Sequence, residues 1–270
     1  MSVDYKAWII SVGNELLIGR VVNTNASWIA RKLFMLGYNV ERIIVVPDSV
    51  DDVSDEISRA LASGAKVAIT TGGLGPTYDD VTLEGVARAV GAPLELNQEA
   101  RSMIEKFYGE RGVELTRERL KMAYLPRGAK PIPNPVGAAP GSIISFRNSY
   151  IISLPGVPRE MEAMFESYVE PLLRSIGPQI YIVECGFTVR RVPESSIAPL
   201  VASLARQYAR SYIKTHPRGH EIGDPILDIK VVSSGATRIE AETVAREVLS
   251  RLRSESERMG GEVSQESCSS

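Results

Sequence analysis

The sequence predicts a three-layer α/β/α domain on a mostly parallel sheet, joined to a second, smaller α+β domain. Three observations carry this. Short apolar runs alternate with amphipathic helical stretches from Lys6 to Val90, the pattern of a parallel sheet covered on both faces. The third run, Val67 to Thr71, empties directly into a turn containing Gly72, Gly73 and Gly75. Past Ser175 the order becomes strand, helix, strand, strand, helix, with Leu227, Ile229 and Val231 alternating with Asp228 and Lys230 as in a sheet with one wet face.

Lys6 to Gly13 reads as a buried strand closed by Gly13-Asn14-Glu15. The polar loop Arg20 to Asn25 leads into a helix with Ala26, Ile29, Ala30, Leu33 and Leu36 on one face, ended by Gly37. Asn39 to Val46 is a second strand, broken at Pro47-Asp48, and Val53, Ile57, Ala60 and Leu61 mark the next helix. After the glycine turn, Leu83, Val86, Ala87 and Val90 fall at helical spacing. Gln98 to Leu125 reads as two helices parted near Gly109 and Gly112. The rigid loop Asn134 to Gly141 precedes a hairpin of Ile143 to Phe146 and Tyr150 to Leu154. Pro155 to Pro158 then forms a second strand-to-helix turn, followed by Met161, Met164, Phe165, Tyr168 and Leu172 as a core face. Gly177-Pro178 suggests a hinge, so the expected divisions are residues 1–175, 176–260 and a disordered polar tail, 261–270.

Chemistry concentrates in TTGGLGPTYDD. Successive amides in a glycine turn form a nest for phosphate oxygens, and the following helix N-terminus adds positive partial charge. Asp79 and Asp80 come next. Adjacent carboxylates beside an anion nest call for a cation between them and the phosphate, which points to a divalent metal. In a parallel sheet ligands bind beyond the carboxyl ends of the strands, so Asn14, Glu15, Asp48 and the loop Gly72 to Asp80 share one rim.

The 270 residues suffice for two domains with real cores, and a net charge of −2 with mixed signs gives no general attraction to nucleic acid or an anionic membrane. Cys185 and Cys268 lie far apart and encode neither a disulfide framework nor a metal knuckle, which fits a reducing cytosol. There is no secretory signal and no bilayer-spanning apolar run, so a cytoplasmic protein is expected.

Together TGGLGPTYDD, NPVGAAPG and LPGVPREM, with GNELLIGRVVNTN at the start, resemble the N-terminal portion of CinA-like proteins, within the wider group of MoaB/MogA-like molybdopterin-binding folds. Many relatives have Asp where this chain has Asn14. The later module looks like the KH-like module of the same proteins, and a stand-alone form of these two modules is expected, so the nicotinamide-mononucleotide deamidation of full-length relatives is not carried over. The resemblance implies a pyrophosphatase dependent on a divalent metal of the Mg2+, Mn2+ or Co2+ class. Its substrate would be ADP-ribose or a related small-molecule dinucleotide, cleaved to AMP and a sugar phosphate by a homodimer.

On that reading Gly72, Gly73 and Gly75 offer amides to the phosphates, with Thr71 and Thr77 beside them. Asp80, helped by Asp79, holds the metal, and Glu15 is a second carboxylate or base. Asn14, Asn25, Asp48, Asn134, Gly137, Gly141, Pro155 and Gly156 are the expected substrate contacts. Two alternatives stand beside it: molybdopterin binding or adenylylation, whose loops commonly have Thr at the position of Leu74, and a non-catalytic nucleotide-binding scaffold. A KH module clamps RNA through Gly-x-x-Gly, which residues 178–260 lack, Gly219 and Gly223 being too widely spaced. His216 and His220 flank Pro217 and read as loop histidines without zinc spacing.

Overall fold

The computed structural model describes residues 5–218 and 223–269. Gly219, His220 and Ser270 lie outside the described residues. The chain divides into two units, Met1–Phe34 with Tyr38–Pro178, and Met35–Gly37 with Gln179–Ser270. The two units meet between Pro178 and Gln179, where the expected division was 175/176.

In the first unit the chain runs β1 (Lys6–Val12), α1 (Asn14–Leu17), α2 (Thr24–Met35), β2 (Asn39–Val46), α3 (Val50–Ala62), β3 (Val67–Thr71) and α4 (Thr82–Ala89). It continues through β4 (Leu94–Leu96), α5 (Gln98–Gly109), α6 (Arg117–Lys121), β5 (Tyr124–Pro126), β6 (Lys130–Ile132), β7 (Gly141–Phe146), β8 (Ser149–Leu154), α7 (Pro158–Met164) and α8 (Glu170–Ile176). Six strands form one sheet in the order β2-β1-β3-β8-β7-β6. β2, β1, β3 and β8 are mutually parallel, while β7 and β6 are antiparallel additions at one edge. All five residues of β3 are buried, as a central strand covered on both faces requires. Successive β1 residues point to opposite faces. Trp8, Ile10 and Val12 join Val53, Ile57 and Ala60 of α3 and Val86 of α4 in one apolar cluster, and Ala100 and Ile104 of α5 extend it. Elsewhere Trp28 of α2 meets Phe165 edge to face, with centroids 5.2 Å apart.

The helix after β8 departs from the expected face. A π-helical turn, Phe165–Val169, separates α7 from α8. Its extra residue per turn rotates the downstream face by one position. Met161, Met164 and Phe165 are buried as expected, but Val169 and Leu173 replace Tyr168 and Leu172 in the interior.

The second unit comprises β9 (Tyr181–Arg190), α9 (Glu194–Gln207), β10 (Ser211–Pro217), β11 (Ile226–Gly235), α10 (Arg238–Arg258), β12 (Glu262–Val263) and β13 (Ser267–Ser269). β11 lies between β10 and β9, antiparallel to both. The α+β expectation holds, and His216 sits on β10 opposite Asp228 and not in a loop. Two expectations are corrected. The described part of the tail, 261–269, is ordered: β12 and β13 pair with the free edge of β9, and Ser264 exchanges hydrogen bonds with Thr188 of 2.8 and 2.9 Å. Cys268 lies directly across from Cys185, 4.1 Å apart at Cα, and the two form a disulfide that no sequence spacing announced.

Candidate active site

The carboxyl ends of β1, β2, β3 and β8 open into a cavity of about 430 Å³. Its wall includes the glycine turn after β3, the Pro155-Gly156-Val157 turn after β8, and Tyr108 and Met122. Five carboxylates line it: Glu15, Asp48, Asp79, Asp80 and Glu160. Among the described residues no lysine or arginine does.

The turn assigns different work to each glycine. Gly72 donates its N–H to Leu154 O at 3.0 Å, and its carbonyl accepts from the Thr82 hydroxyl at 2.8 Å. A Cβ there would lie 2.2 Å from Val12 O, and φ is +101°. Gly72 is therefore the joint between β3, β1 and β8, and its expected role as a phosphate donor is corrected. No partner among the described residues accepts from the N–H of Gly73, Leu74 or Gly75. All three residues line the cavity.

Past the turn, Asp80 Oδ2 accepts from the Thr77 N–H at 2.8 Å, and a Cβ on Gly75 would stand 2.7 Å from that oxygen. The Thr77 hydroxyl lies 2.5 Å from Asp80 Oδ2 and 2.5 Å from Asp79 Oδ1. One hydroxyl proton serves one acceptor at a time, so the two acids compete for it. The contact left without a proton sets oxygen against oxygen. The Thr77 hydrogen bond, with Asp79's own N–H and the nearby Lys121 charge, holds the Asp79 carboxyl below its usual range. Lys121 Nζ itself donates to Thr77 O at 2.6 Å.

Residues 8–175 match the family model described as a probable molybdopterin binding domain. The chain belongs to that family. The protein CinA of Thermoplasma acidophilum, a crystal structure described as of unknown function, is 43% identical with a TM-score of 0.58 over 64% of this chain and 99% of that one. A protein of Aeropyrum pernix is 53% identical over 261 residues, 97% of each chain, and one of Pyrobaculum calidifontis is 51% identical over 246, covering 91% of this chain and 94% of the relative.

In this molybdopterin-binding-family domain the cavity gathers Glu15, Asp48, Gly72, Gly73, Gly75, Thr77, Asp79, Asp80, Pro155 and Gly156 of the residues expected from sequence. The others serve the scaffold. Asn14 gives its backbone N–H to Asp48 Oδ2 at 2.9 Å and does not line the cavity. Asn25 ties Gly156 O at 2.8 Å to Thr71 Oγ1 at 3.4 Å, and both Asn25 and Thr71 border a separate hollow of about 80 Å³. Asn134 spends its amide on its own loop: Nδ2 donates to Ala139 O and Glu160 Oε2, and Oδ1 accepts from the N–H groups of Val136 and Gly137. That also consumes the Gly137 amide. Gly141 is buried in β7, where a Cβ would stand 2.5 Å from Ser153 O. The Asn134 side chain and the Gly137 N–H are thus engaged within the protein, whereas Asn14 uses only its backbone N–H and the buried Asn25 Oδ1 has no hydrogen-bond partner among the described residues.

Glu160 was missed by sequence reasoning. Asn134 Nδ2 holds its Oε2 at 2.7 Å, and a Cβ on Gly137 would lie 2.3 Å from its carboxyl carbon. The signal was a glutamate one turn into the helix after LPGVP, where it reads equally as an ordinary first-turn acid. Tyr108 and Met122 lie in the stretch Gln98 to Leu125, read only as two helices, and neither was singled out as wall.

No three His, Cys, Asp or Glu side chains among the described residues make a metal cluster. The Asp79–Asp80 pair nevertheless fits Mg2+, which takes one or two carboxylates, keeps water and completes its shell with substrate phosphate oxygens.

Proposed function

We propose that this CinA-like chain hydrolyses the pyrophosphate bond of ADP-ribose or a related dinucleotide with a divalent metal, releasing AMP and a sugar phosphate. One observation carries the reading: five carboxylates without a lysine or arginine surround a cavity whose glycine turn keeps three spare amides. A diphosphate entering alone meets repulsion, and a metal-bound one meets ligands. Asp79 and Asp80 would hold the metal, which when bound polarises a phosphoryl oxygen and lowers the pKa of an attacking water. The amides of Gly73, Leu74 and Gly75 then take the charge on phosphate oxygens. Of the three remaining carboxylates, Asp48 already accepts from the Asn14 N–H, and Glu15 and Glu160 are the candidates to accept the proton of that water.

The test is AMP release from ADP-ribose with Mg2+, Mn2+ or Co2+ for wild type and Asp80→Asn, which keeps size and a hydrogen bond to Thr77. Turnover in wild type that falls at least 100-fold in the variant is the expected result. Undiminished turnover in Asp80→Asn rejects the metal assignment.

The family's description favours a second reading, molybdopterin binding or adenylylation. Leu74, whose side chain is 5% exposed and packed in the core, offers no hydroxyl to that ligand. Molybdopterin binding by wild type without AMP release would establish this alternative.

A further inference from the structure

We infer that Tyr108 and Met122 form the face against which a planar heterocycle of the substrate lies, next to the phosphate nest. The inference rests on the reading of the glycine turn as a diphosphate site and adds what sits beside it. A cavity of about 430 Å³ falls in the range that encloses a drug-sized ligand, more than a bare diphosphate fills. Its polar lining is spoken for by amides and acids. Leu74, between the amide-bearing Gly73 and Gly75, belongs to the same apolar cluster as Met122, against which Tyr108 packs. The apolar wall is therefore continuous with the turn that takes the phosphates.

The Tyr108 ring is held in place. The Arg119 guanidinium covers one face of the ring, 4.7 Å from its centroid, and Phe107 meets it edge to face at 5.4 Å, so a substrate ring would stack on the opposite face. An aromatic ring oriented in this way in a cavity wall, beside a polarisable thioether, suits stacking with a flat, neutral, nitrogen-rich ring system. Adenine and a pterin share that chemistry, and both come with phosphate attached at a short distance. Tyr108 is thus a specificity-determining residue that reads the heterocycle without touching the reacting phosphorus.

Calorimetric titration tests this with ADP, 6-hydroxymethylpterin diphosphate and inorganic pyrophosphate, each with Mg2+, against wild type, Tyr108→Leu, Tyr108→Phe and Tyr108→Trp. Wild type binds ADP or the pterin diphosphate more tightly than pyrophosphate, and the preferred one names the heterocycle. Tyr108→Leu keeps the apolar volume and weakens that ligand about tenfold, while pyrophosphate is unchanged and the Phe and Trp variants match wild type. Equal weakening of all three ligands by Tyr108→Leu, no weakening of any, or a wild type without preference for a heterocycle overturns the inference. Absent ADP-ribose hydrolysis alongside this binding pattern removes the hydrolase reading alone; hydrolysis without the pattern removes only the role of Tyr108.

Discussion

At the scale of single residues, the glycine turn separates structural from ligand-facing work. Gly72 combines a left-handed backbone with a contact to Val12 O that leaves no room for a methyl group. Gly72→Ala is expected to cost about 3 kcal/mol or more, from backbone strain and overpacking together, measured as a shift in the denaturant midpoint at unchanged m-value. Thr77 acts through charge. Because its hydroxyl stabilises ionised Asp79, the folded-state pKa of Asp79 lies below its unfolded value. The carboxylate therefore survives as pH falls through the ordinary carboxylate range and is lost only below it. Any stability linked to this group is present above the unfolded pKa and disappears as pH drops through the folded one. Thr77→Val removes the bond, so the Asp79 carboxyl should titrate higher by NMR, and the acid limb of metal binding should move to higher pH with it. An unchanged Asp79 titration in Thr77→Val would mean that Lys121 and the backbone set the shift.

At the scale of elements, strand-to-helix turns are where sequence and structure agree best, because glycine and proline restrict the backbone locally. β1 to β3, the hairpin of β7 and β8, and Pro158 in the first turn of α7 all stand where local pattern put them. The tail shows the opposite case. β13 is Ser-Cys-Ser with all three residues exposed, and nothing in it carries a strand signal. Its place comes from the edge of β9 and the link to Cys185, 83 positions earlier. Closing so long a loop should stabilise the fold by about 2–4 kcal/mol. Cys268→Ser, or treatment with a thiol reductant, should lower stability by that amount and speed hydrogen exchange at Ser267 to Ser269. Protection that survives reduction would show that strand pairing alone holds β13.

At the scale of the molecule, every residue lining the main cavity lies between Val12 and Glu160, inside the first unit. The Thermoplasma acidophilum CinA structure is matched over 99% of its length by 64% of this chain. A chain ending at Pro178 is therefore expected to retain diphosphate binding within about threefold of the full protein, measured by calorimetry with Mg2+ and ADP. Loss of binding in a folded truncation would make the second unit part of the site. No helix among the described residues is long and apolar enough to cross a membrane.

The sequence by itself determined the layered sheet and the loop that carries Asp79 and Asp80. Each of these is written in contiguous residues, through hydrophobic period or backbone freedom. Only the tertiary structure decided which amides stay free, because the Gly72 N–H is claimed by Leu154, a residue from another strand. It also turned Asn134 from a ligand contact into the support of Glu160, brought Tyr108 from a distant helix to the cavity wall, and paired Cys185 with Cys268. These are contacts between positions far apart in the chain, and no local pattern records them until the sheet has brought its strand ends together.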